Sequence, residues 1–144
     1  MATERSASVV WQGDLMNGSG TIAEAPSGAF GPLDVSWASR AEEPNGKTSP
    51  EELIASAWAS CFAMALSGGL ARGGNPPERL ETSATVTFVP GEGITKGVLT
   101  VRGTVPGVDE GAFKDAAEAA KENCPVSKAL AGIPDVTLEA GLAR

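Results

Sequence analysis

The sequence predicts an α+β fold, and two observations carry that reading. Stretches that alternate apolar and polar residues come in separated runs of three, two and one, instead of interleaving regularly with helices. Between the first runs lies an almost wholly apolar segment, 48–70, long enough for about six turns of helix. A chain of 144 residues suits a single domain, 1–144, with a substantial core. About six antiparallel strands, making roughly one sheet, are expected around one long buried helix.

Taken in order, residues 6–11 (SASVVW) and 20–24 read as two short strands with MNGSG as turn material between them. Residues 33–37 alternate Leu, Val and Trp with Asp and Ser, as a strand with one buried face does. The polar turn AEEPNGK then leads to the long helix. Ser49 is placed to cap it, Pro50 suits its first position, and Glu52 is spaced to close a capping box. Glu51 and Glu52 put negative charge at the positive end of the helix dipole. The helix weakens at Ser67, Gly68 and Gly69 and stops by GGNPP, which cannot continue it.

Residues 81–89 and 95–105 alternate well and are joined by PGEG, the pattern of a hairpin. Asp109 caps a second helix with Ala112, Phe113, Ala116, Ala117 and Ala120 on one face and charged residues opposite. Pro125 opens a short third helix through Leu130, and residues 135–140 form the last strand.

Bulk properties narrow the function. The formal net charge of -7 argues against nucleic acid and anionic membrane surfaces as partners. No apolar run is read as spanning a membrane, and MATERSASVV lacks the pattern of a signal peptide, so a cytoplasmic place is expected. Histidine is absent, which removes the usual general base near neutral pH and the commonest metal ligand. Ser-His-Asp and Cys-His chemistry are excluded, and two cysteines without histidine make no ordinary zinc site. The expected cofactor complement is therefore none.

The long helix poses a packing problem. A helix apolar all round needs cover on all sides, and one sheet covers one face. A second copy of the chain supplies the rest, so an intertwined homodimer is expected, with two sheets enclosing paired helices.

Two cysteines remain. Cys61, among Ala, Phe and Met in the middle of the helix, reads on its own as a small buried hydrophobe with an inert thiol. Cys124 precedes Pro125, which pushes it out of helical geometry and toward the N-cap of the next helix, where a thiol is more acidic. The residues alone leave open two structural cysteines, a structural disulfide and a transient redox pair.

A resemblance bears on that choice. P-E-E-L at 50–53, A-S-C-F at 59–62 and C-P-V-S at 124–127 resemble the OsmC/Ohr family of thiol-dependent hydroperoxide reductases, and element order and length fit over nearly the whole chain. Arg40, between the third strand and the long helix, matches the arginine of the OsmC branch. In the Ohr branch that arginine comes earlier, and the only earlier one here, Arg5, precedes the first strand.

The resemblance implies an OsmC-like fold and a peroxidase mechanism without cofactor. Cys61 would be the peroxidatic thiol that becomes a sulfenic acid, and Cys124 the resolving thiol that condenses with it. Arg40 would lower the thiol pKa and hold the peroxide, and Glu51 would orient Arg40. The substrate class implied is organic hydroperoxides, with Trp58, Phe62 and Met64 as candidate lining, and the reductant a dithiol of the dihydrolipoyl kind. Glu51 and Cys61 lie ten residues apart, about 15 Å along one helix and roughly 280° around it. Glu51 is therefore expected to serve a cysteine of the other subunit. The competing reading is a non-catalytic homodimer that binds an apolar ligand or senses redox state.

Overall fold

The computed structural model describes residues 1–143, which fall into two compact units, Met1–Leu53 and the chain from Ile54 onward. The first unit holds a three-stranded antiparallel sheet of β1 (Val9–Gln12), β2 (Ser19–Ile22) and β3 (Leu33–Val35), in that order. Register places Trp11 opposite Gly20, and the ring lies where a Cβ on Gly20 would be, at 2.8 Å. Glycine lets the indole close down on the sheet.

The strand expected over 33–37 ends at Val35, and a five-residue helix, α1 (Trp37–Ala41), follows it. The cause is local: Ser36 Oγ accepts from the Ser39 N–H while Ser39 Oγ accepts from the Ser36 N–H, a reciprocal capping box built from two serines. The next turn uses Asn45 and Gly46 at positive φ, and the Lys47 N–H closes it on the Pro44 carbonyl at 3.0 Å.

The long helix is α2 (Pro50–Arg72). At its start Ser49 Oγ accepts from the Glu52 N–H at 3.1 Å, as the sequence predicts, and Thr48 Oγ1 donates to Glu52 Oε1 at 2.6 Å. By length and composition α2 meets the requirement for crossing a membrane, contrary to the sequence expectation. In the second unit it is instead the helix against which the core assembles. Trp58, Phe62, Leu66 and Leu70, one per turn, form a buried stripe with Leu99, Val101 and Phe113. Burial on most sides is not found within one chain: Ser56, Ala57, Ser60 and Met64 are exposed. Ser56, Ala57 and Ser60 on that face are small enough to remain in water, whereas Met64 is a large apolar side chain left 73% exposed.

The second sheet comprises β4 (Arg79–Val89), β5 (Gly93–Thr104) and β6 (Asp135–Leu142). The hairpin β4–β5 is antiparallel, but β6 pairs with β5 in parallel, a departure from the six antiparallel strands expected. The crossover through α3 (Glu110–Asn123) and α4 (Pro125–Ala129) delivers β6 in the same direction as β5. The six strands thus form two sheets of three, not one. Phe113 on α3 packs onto Gly103 of β5, and Trp58 onto Gly97, each ring within 2.6 Å of where a Cβ would stand.

Candidate functional site: an arginine clamp and a thiol pair

Two constellations of predicted residues are found, one in each unit. In the first, Arg40 on the last turn of α1 meets Glu51 on the first turn of α2. Nε donates to both carboxylate oxygens at 3.0 and 3.2 Å, and Nη2 donates to Oε2 at 2.8 Å. This fork-on-carboxylate geometry is available to arginine and not to lysine. Glu51 is buried with 7% of its side chain exposed, whereas Arg40 keeps 32%, so the pair presents the cation outward. The connecting segment is fixed as well: Ser39 Oγ donates to the Thr48 carbonyl at 2.9 Å, and the Thr48 N–H to the Asp34 carbonyl at 2.9 Å.

Beside Arg40 lies an apolar groove of about 330 Å³, lined by Val9, Trp11, Leu15, Ile22, Val35, Trp37, Pro50 and Leu53. Sequence reading did not find these residues. They stand on β1, β2, β3, α1, α2 and the turn that holds Leu15, and only strand register and the α1 cap bring them together.

In the second unit Cys61 and Cys124 are both free thiols, close enough that each shifts the other's titration. Cys61 is half-buried on α2, and Cys124 is fully buried in the core. Cys124 ends α3 and begins α4, its N–H bonded to the Ala120 carbonyl at 2.9 Å and its carbonyl to the Lys128 N–H at 3.1 Å. Pro125 at the next position holds it extended, at ψ 123°. Both sides of its backbone are thus tied, and the thiol is aimed at α2.

Burial pushes the Cys61 thiol above its ordinary range, and donating its S–H to Cys124 pushes it further, against a lowering contact from the Val126 N–H. Burial raises Cys124 too, but the Cys61 S–H, the Ser127 N–H and hydroxyl, and the Val126 N–H outweigh it, so this thiol is net lowered. Within one chain the proton rests on Cys61 and the thiolate forms first on Cys124. Such a pair can share one negative charge and can close to a disulfide.

Among the predicted lining residues, Trp58 and Phe62 are core residues with at most 1% exposure, while Met64 stands on the exposed side of α2 at 73%. Ser127, quoted in the C-P-V-S stretch without a role, accepts from Trp58 Nε1 at 2.8 Å.

A half-buried thiol on a long helix, backed by a fully buried one, is an arrangement suited to thiol peroxidase chemistry, and the comparisons give that class. The OsmC-like protein family matches residues 43–139. The chain is 36% identical over 142 residues to Peroxiredoxin OsmC of Escherichia coli (strain K12), covering 96% of each chain. It is similar to the crystal structure of the organic hydroperoxide resistance protein OhrB of Bacillus subtilis, with a TM-score of 0.66 and 25% identity over 96% of this chain and 98% of that one. An OsmC-like protein from Mycoplasma pneumoniae shares the fold over the full length of both chains, with a TM-score of 0.74 and 16% identity. The chain belongs to the OsmC family.

Proposed function

We propose that the chain reduces organic hydroperoxides to alcohols, with Cys61 as the peroxidatic and Cys124 as the resolving cysteine. The contact between these two reduced thiols, one reachable from solvent and one not, carries the proposal. The Cys61 thiolate attacks the terminal oxygen of ROOH. The O–O bond breaks, ROH leaves with one proton, and Cys61 becomes a sulfenic acid. Cys124 sulfur then attacks the Cys61 sulfur, water leaves, and an intramolecular disulfide forms. A dithiol returns both cysteines to thiols and is itself oxidised to a disulfide. The dihydrolipoyl kind fits because one molecule supplies both electrons and closes its own ring. Repeated re-reduction suits a cytoplasmic setting.

Arg40, held by Glu51, supplies the cation, and the apolar groove beside it takes the organic part of the substrate. An apolar groove favours R groups over hydrogen peroxide, and the name of the OhrB relative points to the same substrate class. Met64 joins this lining once α2 is covered by a second copy. Ten helical residues separate Glu51 from Cys61, so Arg40 of the partner subunit is the cation we assign to each Cys61. Its charge then lowers the cost of carrying the thiolate on Cys61 during attack. The exposed face of Ser56, Ala57 and Ser60 on α2 gives the partner's helix a surface on which backbones approach closely.

The test is turnover of an organic hydroperoxide by reduced protein with dihydrolipoamide as donor. Cys61→Ser abolishes peroxide consumption, and Cys124→Ser consumes one equivalent and stops. Equal consumption by wild type and Cys61→Ser overturns the proposal.

A further inference from the structure

The hydrogen bond between Trp58 and Ser127 joins the two elements that carry the thiols. Trp58 lies on α2 three residues before Cys61, and Ser127 lies on α4 three residues after Cys124. The indole nitrogen donates to Ser127 Oγ at 2.8 Å, across 69 positions of sequence. A serine hydroxyl has one proton and two lone pairs, and the indole N–H is a donor only. With the Trp58 proton on one lone pair, the hydroxyl's own proton must point elsewhere. Cys124 is the N-cap of α4, three residues before Ser127, the spacing that puts two side chains on one helix face, and it is fully buried. Trp58 is itself 1% exposed, and its ring closes on β5 in the space a Cβ on Gly97 would take, so the donor cannot swing away.

We propose that Trp58 and Ser127 form a relay that aims the Ser127 hydroxyl proton at Cys124 Sγ, making both residues positioning residues for the resolving step. The inference rests on the peroxidase reading and adds residues that act only through Cys124. A fixed donor on a buried sulfur does two things. It raises the fraction of Cys124 present as thiolate when the Cys61 sulfenic acid appears, and it stabilises the same thiolate as the leaving group when a dithiol opens the disulfide at Cys61. The Ser127 and Val126 N–H groups also face this sulfur, but none closes a regular cap on α4. The hydroxyl is the one donor whose aim a second side chain enforces.

The experiment has two arms, which separate this relay from the reading it rests on. In a Cys61→Ser background only Cys124 titrates, and thiolate absorbance in the ultraviolet reads its midpoint without any peroxide chemistry. Ser127→Ala moves that midpoint upward, Ser127→Thr restores it, and Trp58→Phe moves it upward by less. In the two-cysteine protein, rapid mixing with one equivalent of an organic hydroperoxide follows sulfenic acid formation and then disulfide closure. Ser127→Ala slows closure at neutral pH on the order of tenfold, with recovery at higher pH, and does not slow the first step. A merely structural hydrogen bond gives a different pattern. Thermal stability then falls in Ser127→Ala and recovers in Trp58→Phe/Ser127→Ala, while the Cys124 midpoint stays at its parent value throughout; that pattern overturns the relay. If the parent protein forms no Cys61–Cys124 disulfide, the peroxidase reading fails, and the titration arm still decides whether the relay acts on Cys124.

Discussion

Arg40 and Glu51 are locked by three nitrogen–oxygen contacts of 2.8–3.2 Å, with the carboxylate buried and the guanidinium partly exposed. This pair fixes one end of α2 and supplies the cation of the proposed site. Arg40→Ala leaves a buried carboxylate without its bidentate partner. After allowance for the exposure of Arg40, the loss is about 2 kcal/mol, a fall in thermal midpoint of about 6–8 °C. Arg40→Lys keeps the charge but not the fork and recovers part of the stability and little of the activity. Calorimetry and peroxide turnover on the two variants check this.

If each site combines Cys61 of one subunit with Arg40 of the other, defective homodimers complement each other. Arg40→Ala and Cys61→Ser proteins, each inactive alone, are unfolded together and refolded as a mixture. Mixed dimers contain one site with both Cys61 and Arg40 intact, and peroxide turnover returns. No return of activity in verified mixed dimers assigns Arg40 to the site of its own chain.

The thiol pair predicts reciprocal titrations. Cys124→Ala removes the acceptor that holds the proton on Cys61, so the Cys61 midpoint moves down from its raised position. Cys61→Ala removes the S–H donor to Cys124, so the Cys124 midpoint moves up. The sign for stability follows: because the folded state lowers Cys124 below its ordinary value of 9.0, its contribution is fully present above that value and is lost as pH falls through the folded midpoint. Cys61, raised above 9.0, contributes in the opposite sense, present below that value and lost as pH rises through its folded midpoint. Ultraviolet thiolate titration of the single variants measures both.

Gly97 has a larger role than its size indicates. A Cβ there falls 2.5 Å from the Trp58 ring, which is held between β5 and the rest of the core and has no room to retreat. Gly97→Ala costs about 1–3 kcal/mol through overpacking. Displacing the indole also lengthens its bond to Ser127, seen as increased exposure and a shift in tryptophan fluorescence. Denaturant unfolding gives the stability change.

The elements legible in the sequence were those with long, regular patterns. α2 and α3 showed their starts at Ser49 and Asp109, and the alternation at 81–89 and 95–105 marked β4 and β5, which extend to Arg79–Val89 and Gly93–Thr104. α1 was hidden because five residues carry no periodicity and its cap is Ser36 with Ser39 in place of the usual Glu or Gln. The direction of β6 was hidden because alternation does not encode parallel or antiparallel pairing. Cys61 and Cys124 were singled out through family motifs, since apolar neighbours alone describe a core cysteine equally well. Trp58 and Phe62, taken with Met64 as candidate lining, stand one turn apart on the buried stripe of α2, which an all-apolar helix did not single out. The groove beside Arg40 was beyond reach because Trp11, Leu15 and Trp37 meet only through tertiary structure.

The most direct measurement is of the thiols themselves. Fully reduced protein receives one equivalent of an organic hydroperoxide with no reductant present, and intact mass and free thiols are then determined. The account predicts loss of both thiols, a mass lower by two hydrogens, and a Cys61–Cys124 link within one chain after digestion. Cys124→Ser instead gains one oxygen on Cys61. Two thiols still present after the peroxide, or a disulfide joining two chains, would contradict it.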